Sequence, residues 1–368
     1  MKKLTPQEEK EAARALLADI ERLAAGRHLR YMEVCGTHTV AIFRAGLRQI
    51  LPENIELVSG PGCPVCVTSD AYMDKAIACA KMEGVIVATF GDMLKVPGSR
   101  ESLSDARAAG ADIRVVYSPL DALAAARENP EKTIVFLGVG FETTAPTEAA
   151  AVLSAKEEGL KNFCVLSAQK LVPPAVKLLL ADPDVHVDGF LLPGHACVVT
   201  GTRPYAFLAD EAHKPGVVAG FTPLAILRAV WRLVRQTAAN EARIENEYGS
   251  VVREEGNPAA LAILARVYEE TADEWRGLGV IERSGLRMRE EFAAFDAERR
   301  LPVEVERVEK KTACRCGEVL RGAVRPTDCT LFAKACVPTH AVGPCMVSVE
   351  GVCAAWYKYG RGRFHFGK

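Results

Sequence analysis

Twelve cysteines among 368 residues are the side chains of this sequence best equipped for chemistry, and most fall into three groups. Cys35-Gly36-Thr37-His38-Thr39 places an imidazole three residues after a thiol. Thiolate and imidazole are both good ligands for iron. His38 could also lower the thiol pKa or orient a substrate, and Gly36 permits close backbone approach. The plainer alternative is a small buried cysteine beside a capping threonine. Gly60-Pro61-Gly62-Cys63-Pro64-Val65-Cys66 carries a C-x-x-C pair. At the start of a helix this is the placement of a redox dithiol, because a helix N-terminus stabilises a thiolate. Half of a metal site is the competing reading. Six further thiols, Cys314, Cys316, Cys329, Cys336, Cys345 and Cys353, form a block near the C-terminus. A structural zinc site usually shows cysteine pairs about two to four residues apart. Here only Cys314 and Cys316 are close. An iron–sulfur cluster also takes four thiolates and tolerates wider spacing. Spacing alone leaves iron–sulfur, zinc and a reduced structural segment open.

Weaker candidates lie between these groups. Gly138-Val139-Gly140-Phe141-Glu142-Thr143-Thr144 follows an apolar run but lacks the third glycine of a dinucleotide loop. Pro193-Gly194-His195-Ala196-Cys197 sits at a strand end, where His195 is either a ligand or a satisfied structural residue. Gly91-Asp92-Met93 and Val96-Pro97-Gly98 could line the same crevice. Cys79 and Cys164, flanked by apolar residues, read as core thiols.

The elements that must position these groups alternate strand and helix. Strands are expected at 31–34, 55–58, 85–89 and 113–117, and again at 133–137, 163–166, 189–192 and 217–219. Ala-rich helical stretches such as 70–82 and 143–158 lie between them. Mainly apolar strands alternating with helices imply parallel sheets covered on both faces. The expected architecture is two Rossmann-like parallel-sheet α/β domains plus a loop-rich, cysteine-rich C-terminal domain, an iron–sulfur domain where the wider-spaced reading of its cysteines holds. An N-terminal helix (1–29) is expected to pack on the C-terminal domain. Domain I is then 30–128, domain II 129–250, with their boundary at 127–131, and a helical and cysteine-rich segment occupies 251–368. Thr222-Pro223 and Asn257-Pro258 each signal a helix start. Cys35 and Cys63/Cys66 would stand at successive strand ends on one sheet edge, the crevice where such sheets bind ligands.

The rest of the composition is bland. A formal net charge of -1 with 25% charged residues gives no reason to expect nucleic acid. The basic tail RGRFHFGK, eight residues long, reads as frayed or docked. No apolar run resembles a signal-peptide core or approaches the roughly 18 residues of a membrane span. The expected location is the cytoplasm, where clustered thiols point to metal or redox work rather than structural disulfides.

Taken in order, these stretches resemble the HypD family of hydrogenase maturation proteins. The matching segments are CGTHT at 35–39, GPGCPVC at 60–66, GDM at 91–93, GFETTAP at 140–146, PGH at 193–195, and the cysteine block with GPCMVS and CAAWY. The family's C-x14-C-x6-C-x16-C pattern falls with its intervals intact on Cys314, Cys329, Cys336 and Cys353. The resemblance therefore implies that these four hold a 4Fe–4S cluster. It implies further that Cys35, supported by His38 and shared with a cysteine of a small HypC-type partner, holds an iron atom. That iron receives cyanide, through a HypE-type partner, and carbon monoxide. The resulting Fe(CN)2CO unit is destined for the large subunit of nickel–iron hydrogenases. Cys63 and Cys66 would relay electrons between cluster and iron, with turnover only inside the multiprotein complex. The rival readings are a free-standing thiol–disulfide oxidoreductase and a zinc-stapled binding module.

Overall fold

In the computed structural model, which describes residues 4–301, 303–306 and 312–360, the apolar runs become parallel strands in two sheets. The basic C-terminal tail lies outside the described residues. In chain order the strands are β1 (Leu29–Glu33), β2 (Ile55–Ser59), β3 (Val85–Thr89), β4 (Ile113–Val115), β5 (Thr133–Gly140), β6 (Phe163–Gln169), β7 (Gly189–Leu192), β8 (Gly216–Val218) and β9 (Ile244–Asn246). One sheet is ordered β2-β1-β7-β8-β9 and the other β4-β3-β5-β6. Both are covered by helices, so β3 is buried at every residue and β5 at all but its first.

The α/β class and parallel sheets are as expected, but the grouping of strands is not. The division into consecutive halves, 30–128 and 129–250, does not describe the sheets. After β2 the chain leaves the first sheet, builds the whole of the second as β3 to β6, and returns for β7, β8 and β9. Residues 127–131 merely join the helix Pro119–Glu128 to β5. A short apolar run reports that a strand is buried on both faces, not which strand lies beside it.

The N-terminal helix also packs elsewhere than expected. Pro6–Leu23 opens with a capping box at Thr5 and Glu8. Its apolar stripe Ala13, Leu16, Leu17, Ile20 meets Ile226, Val230 and Leu233 of the helix Pro223–Ala238, not the cysteine block. Trp231 Nε1 donates to Asp19 Oδ2 at 2.6 Å across this contact. Burying a side chain such as Ile20 contributes about 1.5–3 kcal/mol.

Thr222 and Asn257 cap their helices as expected. The following segment is not simply helical, because β10 (Tyr268–Trp275) and β11 (Gly279–Met288) form an antiparallel hairpin. Trp275 at its tip is buried, stacks on Phe141 at 5.9 Å and donates from Nε1 to Ser284 Oγ at 2.9 Å. One apolar cluster joins Trp275 and Phe141 with Val34, Cys63, Cys66, Cys316 and Cys345. Both sheets, the hairpin and the cysteine block therefore share a core at the point where the thiols lie.

Candidate thiol and metal-handling site

In an open parallel sheet, ligands bind outside the carboxyl ends of strands where the strand order reverses. In the first sheet this point lies between β1 and β7. Cys35 follows β1, the Cys63/Cys66 loop follows β2, His195 follows β7, and Gly220-Phe221 follows β8. All four loops stand on one edge. The Gly36 N–H donates to Gly62 O at 2.7 Å, so the two thiol loops touch through their backbones. A Cβ built at Gly62 would lie 2.2 Å from Cys35 N and 2.4 Å from its Cα. Gly62→Ala is therefore expected to destabilise the protein by about 3 kcal/mol or more, at or above the usual upper range for overpacking. Thermal unfolding gives the loss, and faster alkylation of Cys35 would show the loop displaced.

Cys35 is the N-cap residue of the helix Gly36–Arg44 and is 8% exposed. Burial pushes its thiol up to about 11; the amides of His38 and Thr37 oppose this, while the Glu350 carboxylate adds to it. Thr37 Oγ1 donates to Glu350 Oε1 at 2.6 Å, which ties the cysteine block to this loop. His38 does not supply the positive charge that the sequence reading allowed. Its Nε2 lies 3.2 Å from Ala219 O and 3.1 Å from Gly220 O and so carries the proton. Burial, opposed by those carbonyls, brings its pKa down to about 4, so the ring is neutral. Its Nδ1 is buried without a hydrogen-bond partner. His195 is exposed at the mouth of the crevice.

Cys63 caps the short helix Pro64–Val67, its Sγ accepting from Cys66 N at 3.3 Å. Cys66 Sγ faces Pro344 O at 3.9 Å, and burial drives its thiol well above the ordinary range. Cys316 and Cys345, left without a role by the family pattern, stand 2.8 Å apart at their sulfurs. Both influence Cys66 electrostatically, so they lie on the side of the block that faces the dithiol. The hairpin tip fixes this meeting. Arg276 N donates to Val67 O at 2.8 Å, its Nε donates to Thr68 O at 2.7 Å, and its Nη1 pairs with Asp70 at 2.8 Å. On the other side a Cβ at Gly277 would lie 2.3 Å from Gly317 Cα. The hairpin was missed because Glu- and Arg-rich strands resemble exposed helix; Gly277 and Gly279 around a turn were the available signal.

All six C-terminal cysteines line one pocket, closed by Val319, Phe332 and Met346. Gly343 belongs to its wall, since a Cβ there would meet Cys314 Sγ at 2.8 Å. The Cys316 thiol beside it, together with burial, pushes the Cys314 thiol up. Burial also raises Cys336, against the amides of Val342 and Gly343. Val342 N donates to Cys336 Sγ at 3.3 Å. Sulfur atoms aimed into a small apolar chamber, with backbone N–H groups directed at one of them, are suited to a thiolate-held group.

The GFETT segment makes no phosphate cradle. A Cβ at Gly138 would strike the Glu148 carboxylate, and one at Gly140 would strike Thr144, so these glycines make room for the chain's own side chains. Glu148 accepts from Tyr268 Oη at 2.5 Å and Gln169 Nε2 at 2.9 Å. Glu142 Oε1 accepts from Val172 N at 2.9 Å, while its Oε2 has no partner. Burial raises both carboxyls to about 7. Each folded pKa exceeds the unfolded value, so the stability each contributes is full below about 4.5 and lost as pH rises through about 7. Glu142→Gln imitates the neutral form. It is expected to reduce the fall in unfolding free energy between about pH 5 and about pH 8, by up to about 3 kcal/mol. Denaturant titrations at the two pH values check this.

Cys79 and Cys164 are core thiols, as expected. Among the described residues no helix is long and apolar enough to cross a membrane.

Two helix-covered parallel sheets whose core joins the Cys63/Cys66 loop to the C-terminal cysteine block define an α/β protein with its cysteine motifs gathered in one place. A family model described as "HypD: Hydrogenase formation hypA family" matches residues 11–360. A Rhodobacter capsulatus protein named hydrogenase maturation factor HypD is 48% identical over 362 residues, covering 95% of this chain and 96% of its own. The protein of that name from Escherichia coli (strain K12) is 48% identical over 336 residues, 91% and 90% of the two chains. The one from Azotobacter vinelandii is 47% identical over 344 residues, 92% and 91%. The chain belongs to the HypD family of hydrogenase maturation factors.

Proposed function

We propose that this maturation factor is the scaffold on which a substrate iron atom acquires cyanide and carbon monoxide, with electrons delivered through its own thiols. The observation that carries the reading is the convergence of the three cysteine motifs. Gly36 N to Gly62 O is 2.7 Å, and Cys66 Sγ to Pro344 O is 3.9 Å. Cys35 is the iron-binding thiolate. A cysteine of a HypC-type partner supplies a second thiolate, His38 and His195 border the site, and a HypE-type partner brings cyanide to the same crevice. The product iron unit then passes to the hydrogenase large subunit. Iron entry must displace the Cys35 proton. Burial keeps the empty thiol protonated, and the Glu350 charge, which adds to that, also favours an incoming cation.

Cys314, Cys329, Cys336 and Cys353 would hold a 4Fe–4S cluster, which when bound would supply single electrons, two of which with two protons return an adjacent Cys316–Cys345 disulfide to the dithiol. In support, all six C-terminal cysteines line one small apolar chamber, and the four at the family's intervals are spaced more widely in sequence than the close pairs of a zinc staple. Cys316 and Cys345 lie between that group of four and the dithiol. Disulfide formation across Cys316–Cys345, with transfer of the electron pair to a Cys63–Cys66 disulfide, leaves Cys63 and Cys66 reduced beside Cys35.

The test is infrared spectroscopy of the protein co-purified anaerobically with the HypC-type partner. Cyanide and carbonyl stretching bands are expected from the wild type and none from Cys35→Ala. Unchanged bands in the variant would overturn the assignment of Cys35.

A further inference from the structure

Phe221 lies in the wall of the Cys35 crevice, between the end of β8 and Thr222, the cap of the helix Pro223–Ala238. Its ring is held between two imidazoles. The His38 ring stacks on it at 4.5 Å and 22°, and the His195 ring at 3.9 Å and 24°. Tyr248 meets it edge-on at 6.0 Å. Neighbouring glycines allow this arrangement: a Cβ at Gly194 would lie 3.3 Å from the Phe221 ring and 2.3 Å from Ala219 O. The one ring of Phe221 is thus stacked against both histidine rings of the crevice.

This stacking has a chemical consequence. A thiolate with two imidazoles is a good donor set for zinc, as in catalytic sites with two cysteines and one histidine or three histidines. For such sets the affinity order places later divalent ions, zinc among them, above ferrous iron. If His38 Nδ1, which is buried without a partner, and His195 could both close on an ion at Cys35, the wrong metal would be held tightly.

We propose that Phe221 is a specificity-determining positioning residue: an inert ring that keeps His38 and His195 from closing with Cys35 on one ion. The site then engages its iron through Cys35 with positions left open for other ligands and for the partner's thiolate. This rests on the reading of Cys35 as the iron-binding residue.

The experiment is an anaerobic Co2+ titration of the full-length protein, with cobalt as the spectroscopic stand-in for zinc. Phe221→Ala is expected to bind cobalt at least about tenfold more tightly than the wild type, or about 1.4 kcal/mol. Thiolate-to-cobalt charge-transfer and four-coordinate ligand-field bands should accompany it. These bands should vanish when Cys35→Ala or His195→Ala is added, and Phe221→Leu, which keeps the bulk, should behave as the wild type. Circular dichroism checks folding, and Phe221→Val carries the same test if the alanine variant does not fold. Absence of a Cys35-dependent gain in the folded variant, or an equal band in the wild type, overturns the proposal. If infrared bands of ligated iron persist in the wild type while the variant gains nothing, the spacer falls alone. If the variant gains cobalt while the wild type never ligates iron, the iron reading falls instead.

Discussion

A Cys345→Ser protein is expected to keep its iron and sulfide yet lose maturation activity by about a hundredfold or more, equivalent to about 2.7 kcal/mol or more. Cys345 lies outside the group of four that matches the family's ligand intervals, so iron content should not change. Its sulfur is 2.8 Å from Cys316 Sγ, and it also acts on the Cys66 thiol. A two-electron couple needs both sulfurs of a pair, because one thiol alone cannot close an intramolecular disulfide. The distinguishing measurement is the thiol state of Cys63 and Cys66 after a one-electron reductant is added to oxidised protein. Mass shift on alkylation should show both reduced in the wild type and still joined in the variant. Full reduction at the wild-type rate would mean that electrons reach the dithiol without Cys345. The hydroxyl is close in size to the thiol, so a general loss of fold would be visible separately as a lowered melting temperature.

Much of this site was legible in the sequence because its parts are local. Cys35 with His38, and Cys63 with Cys66, are each contained within one turn beside a strand end, and strand ends could be placed from apolar runs. The chemistry of His38 was not legible. Whether an imidazole is charged depends on what faces its nitrogens, and the two carbonyls that hold Nε2 come from residues 219 and 220. Pairing across the chain was equally hidden. Nothing in the runs at 31–34 and 189–192 says that β1 and β7 are neighbours, yet that adjacency makes the crevice. The roles of Gly62, Phe221, Arg276 and Gly277 share this character. Each is an ordinary residue until an element distant in sequence is placed against it. Glu142 was visible only as part of a glycine-containing segment. Its buried carboxyl, with one oxygen hydrogen-bonded and one without a partner, is a property of the packing of β5 against the chain after β6.

Cys336→Ser should have the broadest structural effect of any single thiol change, and its effect should be confined to one region. The segment from Cys314 to Tyr359 contains only short helices and turns, with Phe332, Met346, Val352 and Trp356 as its main buried side chains. So small an apolar core offsets little of the entropy of ordering so many loop residues. On the proposed reading a group held by four of the segment's thiolates supplies the rest, and thiolate-held metal groups contribute on the order of 10 kcal/mol to such segments. Removing one ligand should therefore cost at least about 5 kcal/mol locally, with iron and sulfide falling together. Trypsin should then cut between 315 and 334, at arginines and lysines held in turns in the intact protein, while both parallel sheets resist. Because Glu350 holds Thr37 and Pro344 faces Cys66, the loss should also loosen both N-terminal thiol loops. Alkylation of Cys35 and Cys66 would then accelerate in the variant without any change in their own sequences. Retained iron with unchanged protease resistance would remove Cys336 from the ligand set. Lost iron with slow alkylation would show the N-terminal loops to be held by the sheet edge and hairpin alone.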